Sequence, residues 1–173
     1  MSIREIQEHD NMGGFSCGVA ALDVYLQRHA YVNHVVGISR CFVLPHADPG
    51  RGILGFYTLS AKSVDVGTVG PHVAATRLPR YPLGVIYIGS FAVEQQSQGQ
   101  GYGRQLIGHA LRTAGGLMSE LGAVGVYLEA HDERARAFYL QHGFIDLVPD
   151  GEAPYPMFLP RGTLQAALSG KAP

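Results

Sequence analysis

The sequence predicts a single α/β domain, a mixed β-sheet with helices packed on it. Three observations point there. The chain has 173 residues, the length of one domain. Apolar runs of strand character crowd its first hundred residues. Strand–helix–strand units then fill the centre, around one long helical pattern.

In chain order, residues 2–7 (SIREIQ) alternate weakly and open the sheet. Leu22, Tyr25, Leu26, His29 and Val32 follow the spacing of one amphipathic helix, with Ser16 as candidate cap and Gly37 as its end. Residues 39–45 and 52–64 read as strands joined by a turn at Asp48-Pro49-Gly50. Residues 65–82, rich in Gly and Pro, read as a long loop with one helical turn. Residues 83–94 are apolar on both faces, as a central strand requires. After a turn at 95–101, Leu106, Ile107, Ala110, Leu111, Ala114, Leu117, Met118 and Leu121 mark the clearest helix, closed by Gly122. Residues 124–130 form a strand, and Asp132 caps a short helix over 133–141. Short strands at 144–148 and 155–159 precede a tail helix around Leu164 and Leu168.

Composition narrows the class. Hydrophobic residues make up 46% and charged residues 16%, with a net charge of −1. That supplies a core, excludes disorder driven by self-repulsion, and removes the global positive excess typical of nucleic-acid binders. The longest apolar stretch, Leu83 to Val93, is too short to cross a bilayer as a helix. The N-terminus, MSIREIQEHD, lacks the apolar core of a signal peptide. No membrane association and a cytoplasmic location are therefore expected. Cys17 and Cys41 have no CxxC partner, and the eight histidines show no ligand spacing. Two reduced thiols and no metal are expected.

Chemistry concentrates in Gln98-Gly99-Gln100-Gly101-Tyr102-Gly103-Arg104, between the buried strand and the long helix. Glycines there let successive backbone N–H groups face one anion, and the helix start adds partial positive charge. Such a loop suits a phosphate or pyrophosphate. A Walker loop would need Gly-Lys-Ser/Thr, whereas Gly103 is followed by Arg104-Gln105. A dinucleotide fingerprint would need G-x-G-x-x-G, and the run here is G-x-G-x-G.

The loop resembles Q-x-x-G-x-G, the acetyl-CoA pyrophosphate loop of the GNAT acetyltransferases. A second segment, residues 132–139 followed by Gly143-Phe144, resembles that superfamily's A-x-x-F-Y-x-x-x-G-F element. In that family the element's tyrosine reaches the CoA sulfur, and Tyr139 matches it. A phenol with an ordinary pKa near ~10 stays protonated at neutral pH and can donate to a departing thiolate. Further blocks extend the resemblance over nearly the whole chain: Phe15-Ser16-Cys17-Gly18, Ala21-Leu22-Asp23-x-x-Leu26, Ser39-Arg40, residues 55–60, residues 78–82 and Met157-Phe158-Leu159-Pro160. Together they look like the TacT-type GNAT toxins of bacterial toxin–antitoxin pairs.

The resemblance implies a GNAT-like, partly splayed sheet, acetyl-CoA as cosubstrate, and transfer to the α-amino group of aminoacyl-tRNA. It also implies a ribbon-helix-helix antitoxin as partner; a homodimer is left open. Phe91, Ala92 and Val93 would present backbone groups to the pantetheine arm. Gln98, Gly99, Gly101, Tyr102, Gly103 and Arg104 would hold the pyrophosphate. Ser90 and Glu94 stand where the family tends to place Arg and Asp. Of the thirteen basic residues, Arg77, Arg80, Arg134 and Arg136 are the candidate tRNA contacts, since guanidinium groups recognise phosphate bidentately. Glu94 is a candidate for orienting a water, or a solvated strand end. His131 is a candidate proton relay. Two rival readings are N-acetylation of a small-molecule amine and a non-catalytic acyl-CoA-binding or antitoxin-partner module.

Overall fold

A computed structural model describes residues 2–170. Among them are seven strands, which form one sheet in the order β1-β2-β3-β4-β5-β7-β6. In chain order the elements are β1 (Arg4–Glu5), α1 (Ala20–Arg28), α2 (Ala30–Val36), β2 (Arg40–Pro45), β3 (Ile53–Val64), α3 (Val66–Val69) and β4 (Leu83–Val93). Then come α4 (Tyr102–Leu121), β5 (Gly125–Ala130), α5 (Glu133–Leu140), β6 (Ile145–Asp146), β7 (Tyr155–Pro160) and α6 (Arg161–Leu168). The fold is of the α/β class, as the pattern of strands and helices predicts.

Packing divides the chain into two compact units, residues 2–60 with 88–110 and residues 61–87 with 111–170. In the first unit β1 and β2 pair antiparallel, as do β2 and β3, with Val43 opposite Phe56. The first seven residues of β3 are all buried, so both faces of this strand are covered. Leu26 and Ala30 from the helices meet Cys41, Val43, Ile53, Phe56 and Ala92 from the strands, with Phe15 set edge-on to Phe56 at 5.5 Å.

The helix expected to run unbroken to Gly37 is two helices. His29 departs from helical geometry at φ −121°, and α2 restarts with Ala30 turned into the core and Val32 exposed. Ser16 does not cap it: Val19 is the N-cap and makes no side-chain cap bond. Gly37 does end α2, at a left-handed φ of 81°.

In the second unit β5 and β7 pair antiparallel over six residues, from Gly125–Pro160 to Ala130–Tyr155. A Cβ at Gly125 would lie 2.4 Å from the Leu159 carbonyl oxygen and 2.5 Å from the Phe158 ring. Only glycine fits that approach. Val64, Val69, Leu83, Val85, Tyr127 and Phe158 form this unit's core. Helix α4 buries Leu106, Ile107, Ala110, Ala114 and Met118 as its spacing predicts, while Leu121 is exposed at its end. Asp132 caps α5 by accepting the Ala135 N–H at 2.7 Å.

Candidate active site

The predicted cofactor residues are continuous in the first unit, at the end of β4, through a turn, and into α4. Ala92 is buried, and Phe91 and Val93 are half-buried. Two contacts fix this strand end against β3. The Ser90 N–H donates to the buried Thr58 hydroxyl at 2.9 Å, and the Glu94 N–H donates to the Leu54 carbonyl at 2.8 Å. A Cβ at Gly55 would fall 2.8 Å from the Ala92 carbonyl oxygen, so glycine lets β3 come this close.

Gly99 and Gly101 adopt left-handed φ angles of 77° and 89°. A Cβ at either would meet nothing within 4 Å. Glycine is therefore needed for backbone conformation, and the space in front of the loop is open. The first turn of α4 follows at once, where N–H groups have no partner within the helix and the helix dipole is positive. Tyr102 and Gly103 are half-buried and Arg104 is exposed there. An anionic diphosphate fits such a cradle.

Gln98 also makes contacts that its motif does not suggest. Its side-chain amide donates to the Val93 and Cys17 carbonyls, each at 3.0 Å, and so fastens the loop to β4 and to the N-terminal segment. Cys17 lies 81 positions from Gln98, so no local pattern signals that contact. The Glu94 carboxylate accepts the Ser97 hydroxyl at 2.8 Å and braces the turn that follows it.

The second unit carries Tyr139 and the four candidate arginines. Tyr139 lies on α5 with its side chain buried, edge-on to Phe138 and Phe144 at 5.3 and 5.6 Å. Burial raises the phenol well above its ordinary pKa, because the phenolate would lose its hydration. It is thus held as a protonated donor across the physiological range. Arg77, Arg80 and Arg134 are exposed. Arg136 is engaged locally: it donates to Asp146, to both Glu133 carboxylate oxygens at 3.1 and 3.3 Å and to the Pro149 carbonyl at 2.9 Å, over the Tyr155 ring. His131 lies exposed, 3.2 Å from the Asp132 carboxylate.

Two clusters were not anticipated from the sequence. In the first unit the Tyr57 hydroxyl and His109 Nδ1 are 2.6 Å apart, with Phe42 stacked on Tyr57. In the second, the Lys62 ammonium lies 4.5 and 5.0 Å from the rings of Tyr87 and Tyr127. Both cysteines are buried and free of disulfides. Burial, with the Asp23 carboxylate beside it, pushes the Cys17 thiol up to about 11. Burial pushes Cys41 to about 12. Among the described residues no cluster of His, Cys, Asp and Glu could hold a metal ion, and no helix is long and apolar enough to cross a membrane.

Known proteins resemble this chain in sequence and fold. Residues 37–146 match the model of the acetyltransferase (GNAT) domain. A curated relative, the tRNA-acetylating toxin of Mycobacterium tuberculosis, is 35% identical over 141 residues, covering 82% of each chain. Among solved structures, the toxin AtaT complexed with acetyl-methionyl-tRNAfMet superposes with a TM-score of 0.83 at 27% identity, over 96% of this chain and 98% of that one. A tyrosine-to-phenylalanine variant of AtaT, bound to acetyl-CoA and the C-terminus of the antitoxin AtaR, gives 0.78 at 26% identity, over 97% and 98%. With its domain match, its curated relative and its glycine loop at the start of α4 in agreement, the chain belongs to the GNAT acetyltransferase family.

Proposed function

We propose that this enzyme is a toxin that transfers the acetyl group of acetyl-CoA to the α-amino group of aminoacyl-tRNA, blocking translation. The observation that carries the cofactor half is the open cradle over Gly99 and Gly101 at the start of α4. The acceptor half rests on relatives named for tRNA acetylation or solved with its product.

In the proposed reaction Gly99, Gly101, Tyr102, Gly103 and Arg104 hold the diphosphate, and the backbone of Phe91, Ala92 and Val93 pairs with the pantetheine arm. The neutral amine attacks the thioester carbonyl and forms the C–N bond, the C–S bond breaks, and Tyr139 gives its proton to the departing thiolate. The proton the nitrogen loses passes to water, from which Tyr139 is reprotonated. An aminoacyl ester's amine has a pKa at or below ~7.7–8.0, so a useful fraction is neutral at pH 7 without a strong base. A lysine side chain near ~10.4 would need one. The Glu94 carboxylate, bonded to Ser97, is consistent with chemistry that needs none. Arg77, Arg80 and Arg134 are the proposed phosphate contacts. Arg136 belongs to its own ion-pair network.

An antitoxin of the ribbon-helix-helix type is the proposed partner, and the cytoplasm, where acetyl-CoA and charged tRNA meet, the proposed location. Co-expressing the toxin with such an antitoxin should relieve growth arrest.

The acceptor is tested by initial rate against log salt for charged tRNA and for a short aminoacyl-ester mimic. The tRNA rate should fall steeply, because counterion release carries much of the affinity. The mimic should respond far less. Replacing Arg77 and Arg80 together with Ala should flatten the tRNA slope and leave acetyl-CoA binding alone. Parallel slopes for both acceptors would transfer the assignment to a small-molecule amine.

A further inference from the structure

The segment before α1 is stitched between that helix and the cofactor loop. Three successive carbonyls are taken in turn. Phe15 O accepts the Gln27 side-chain amide of α1 at 2.9 Å. Ser16 O accepts the Gln95 N–H at 2.8 Å, and Cys17 O accepts the Gln98 amide at 3.0 Å. One carboxylate sets the segment's conformation from the other side. Asp23, in the first turn of α1, accepts the Cys17 N–H at 2.7 Å on one oxygen and the Ser16 hydroxyl at 3.1 Å on the other. Gly18, at φ +91°, makes the turn into the helix beside the Gln95 side chain. Desolvation opposes ionisation of Asp23, but these donors outweigh it and hold the carboxyl below its usual range.

From this chain of contacts we infer that Asp23 is a positioning residue for the acetyl-CoA loop, acting through Cys17 and Gln98. The backbone of Cys17, lying between the Asp23 carboxylate and the Gln98 amide, transmits the constraint. The carboxylate fixes the Cys17 N–H and with it the planar Ser16–Cys17 peptide, whose carbonyl takes the Gln95 N–H. The next carbonyl along, that of Cys17, is thereby held where Gln98 can reach both it and Val93. Without Asp23 the segment can rotate, Gln98 loses one of its two carbonyl partners, and the glycine loop loses a brace. Cofactor affinity should then fall while the chemical step, served by other residues, is spared. The inference rests on the reading of residues 98–104 as the acetyl-CoA site, and titration of the wild-type protein with acetyl-CoA tests that reading separately.

The experiment compares wild type, Asp23→Ala, Asp23→Asn, Gln98→Met and the Asp23→Ala/Gln98→Met double variant. Acetyl-CoA dissociation constants come from calorimetry and kinetic constants from acetylation of the aminoacyl-ester mimic. Thermal melting selects the variants that fold. A hydrogen bond to a charged group is worth enough that Asp23→Ala should raise the dissociation constant and the acetyl-CoA KM by about 10- to 100-fold. The kcat at saturating acetyl-CoA should stay within about twofold. Asp23→Asn keeps one acceptor oxygen and should fall between, which covers the case in which the alanine variant does not fold. Because both residues act along one path, the double variant should bind no more than about threefold worse than the weaker-binding single variant. Folded Asp23 variants that bind acetyl-CoA like wild type would overturn the inference. So would effects that multiply in the double variant, or a fall in kcat with KM unchanged. Failure of wild type to bind acetyl-CoA would instead remove the reading on which it rests.

Discussion

Replacing Gly101 with Ala separates backbone strain from steric exclusion at the proposed cofactor loop. Gly101 sits at φ +89°, and an added Cβ would meet no protein atom within 4 Å. The protein side of the substitution is therefore free of clash, and its cost is conformational. Holding a non-glycine residue in the left-handed region costs about 1–2 kcal/mol. If the free loop relaxes to escape that strain and acetyl-CoA must restore it, affinity falls by about 5- to 30-fold. A larger loss would mean that the methyl also meets the diphosphate. Gly116, within α4, is the matched control, since a Cβ there also meets nothing within 4 Å and its φ is not positive. Gly116→Ala should raise stability by about 0.5–1 kcal/mol and leave acetyl-CoA binding unchanged. Calorimetric titration and denaturant unfolding of both variants give the comparison. Gly101→Ala with wild-type affinity and wild-type stability would refute the argument that this φ is required.

Other consequences are as direct. Tyr139→Phe removes one hydroxyl from a packed aromatic cluster and should lower kcat by about 10²- to 10⁴-fold with acetyl-CoA affinity unchanged; an unaltered kcat would remove the phenol from the mechanism. Arg136→Ala should lower the melting temperature, because Asp146 and Glu133 lose their partner, while the salt slope for tRNA stays as in wild type. A flattened slope would return Arg136 to the acceptor surface. Asp10 is held below the usual carboxyl range: burial opposes ionisation, but bonds from Arg4 and the Gln7 N–H prevail. Its contribution to stability is complete above about pH 4 and is lost as pH falls through its lowered folded value. Acid unfolding of Asp10→Asn should start from a lower stability and show a shallower dependence in that window.

Local pattern made much of this molecule legible. The spacing from Leu106 to Met118 marked the buried face of α4, Asp132 marked the start of α5, and Gly37 and Gly122 marked helix ends. What escaped was non-local or directional. Continuous apolar spacing from Leu22 to Val32 concealed the break at His29, because both helices bury residues on a shared face through Leu26 and Ala30. Ser16 was expected to cap the helix by accepting backbone N–H groups. Instead it donates to Asp23, four residues inside the helix start, a polarity that residue type alone does not reveal. In the glycine loop the motif marked out a segment, yet the partners of Gln98 lie on β4 and near the N-terminus. Arg136 and Arg134 are two positions apart on α5 and look equivalent as a string. The acceptors around Arg136 are assembled from the Glu133 and Asp146 carboxylates and the Pro149 carbonyl.

The two buried thiols bear on how turnover can be measured. Acetyl transfer releases one CoA thiol per cycle, and an aromatic disulfide reagent converts each thiolate into colour. At pH 8 a thiol raised to about 11, as at Cys17, is ionised in about one molecule per thousand. Cys41, at about 12, is ionised less still, and both side chains are shielded from the reagent by packing. The folded enzyme is therefore optically silent beside its product. A slow rise in colour without acceptor would report unfolding of the first unit, and the same cuvette would follow catalysis and the integrity of the fold that supports it.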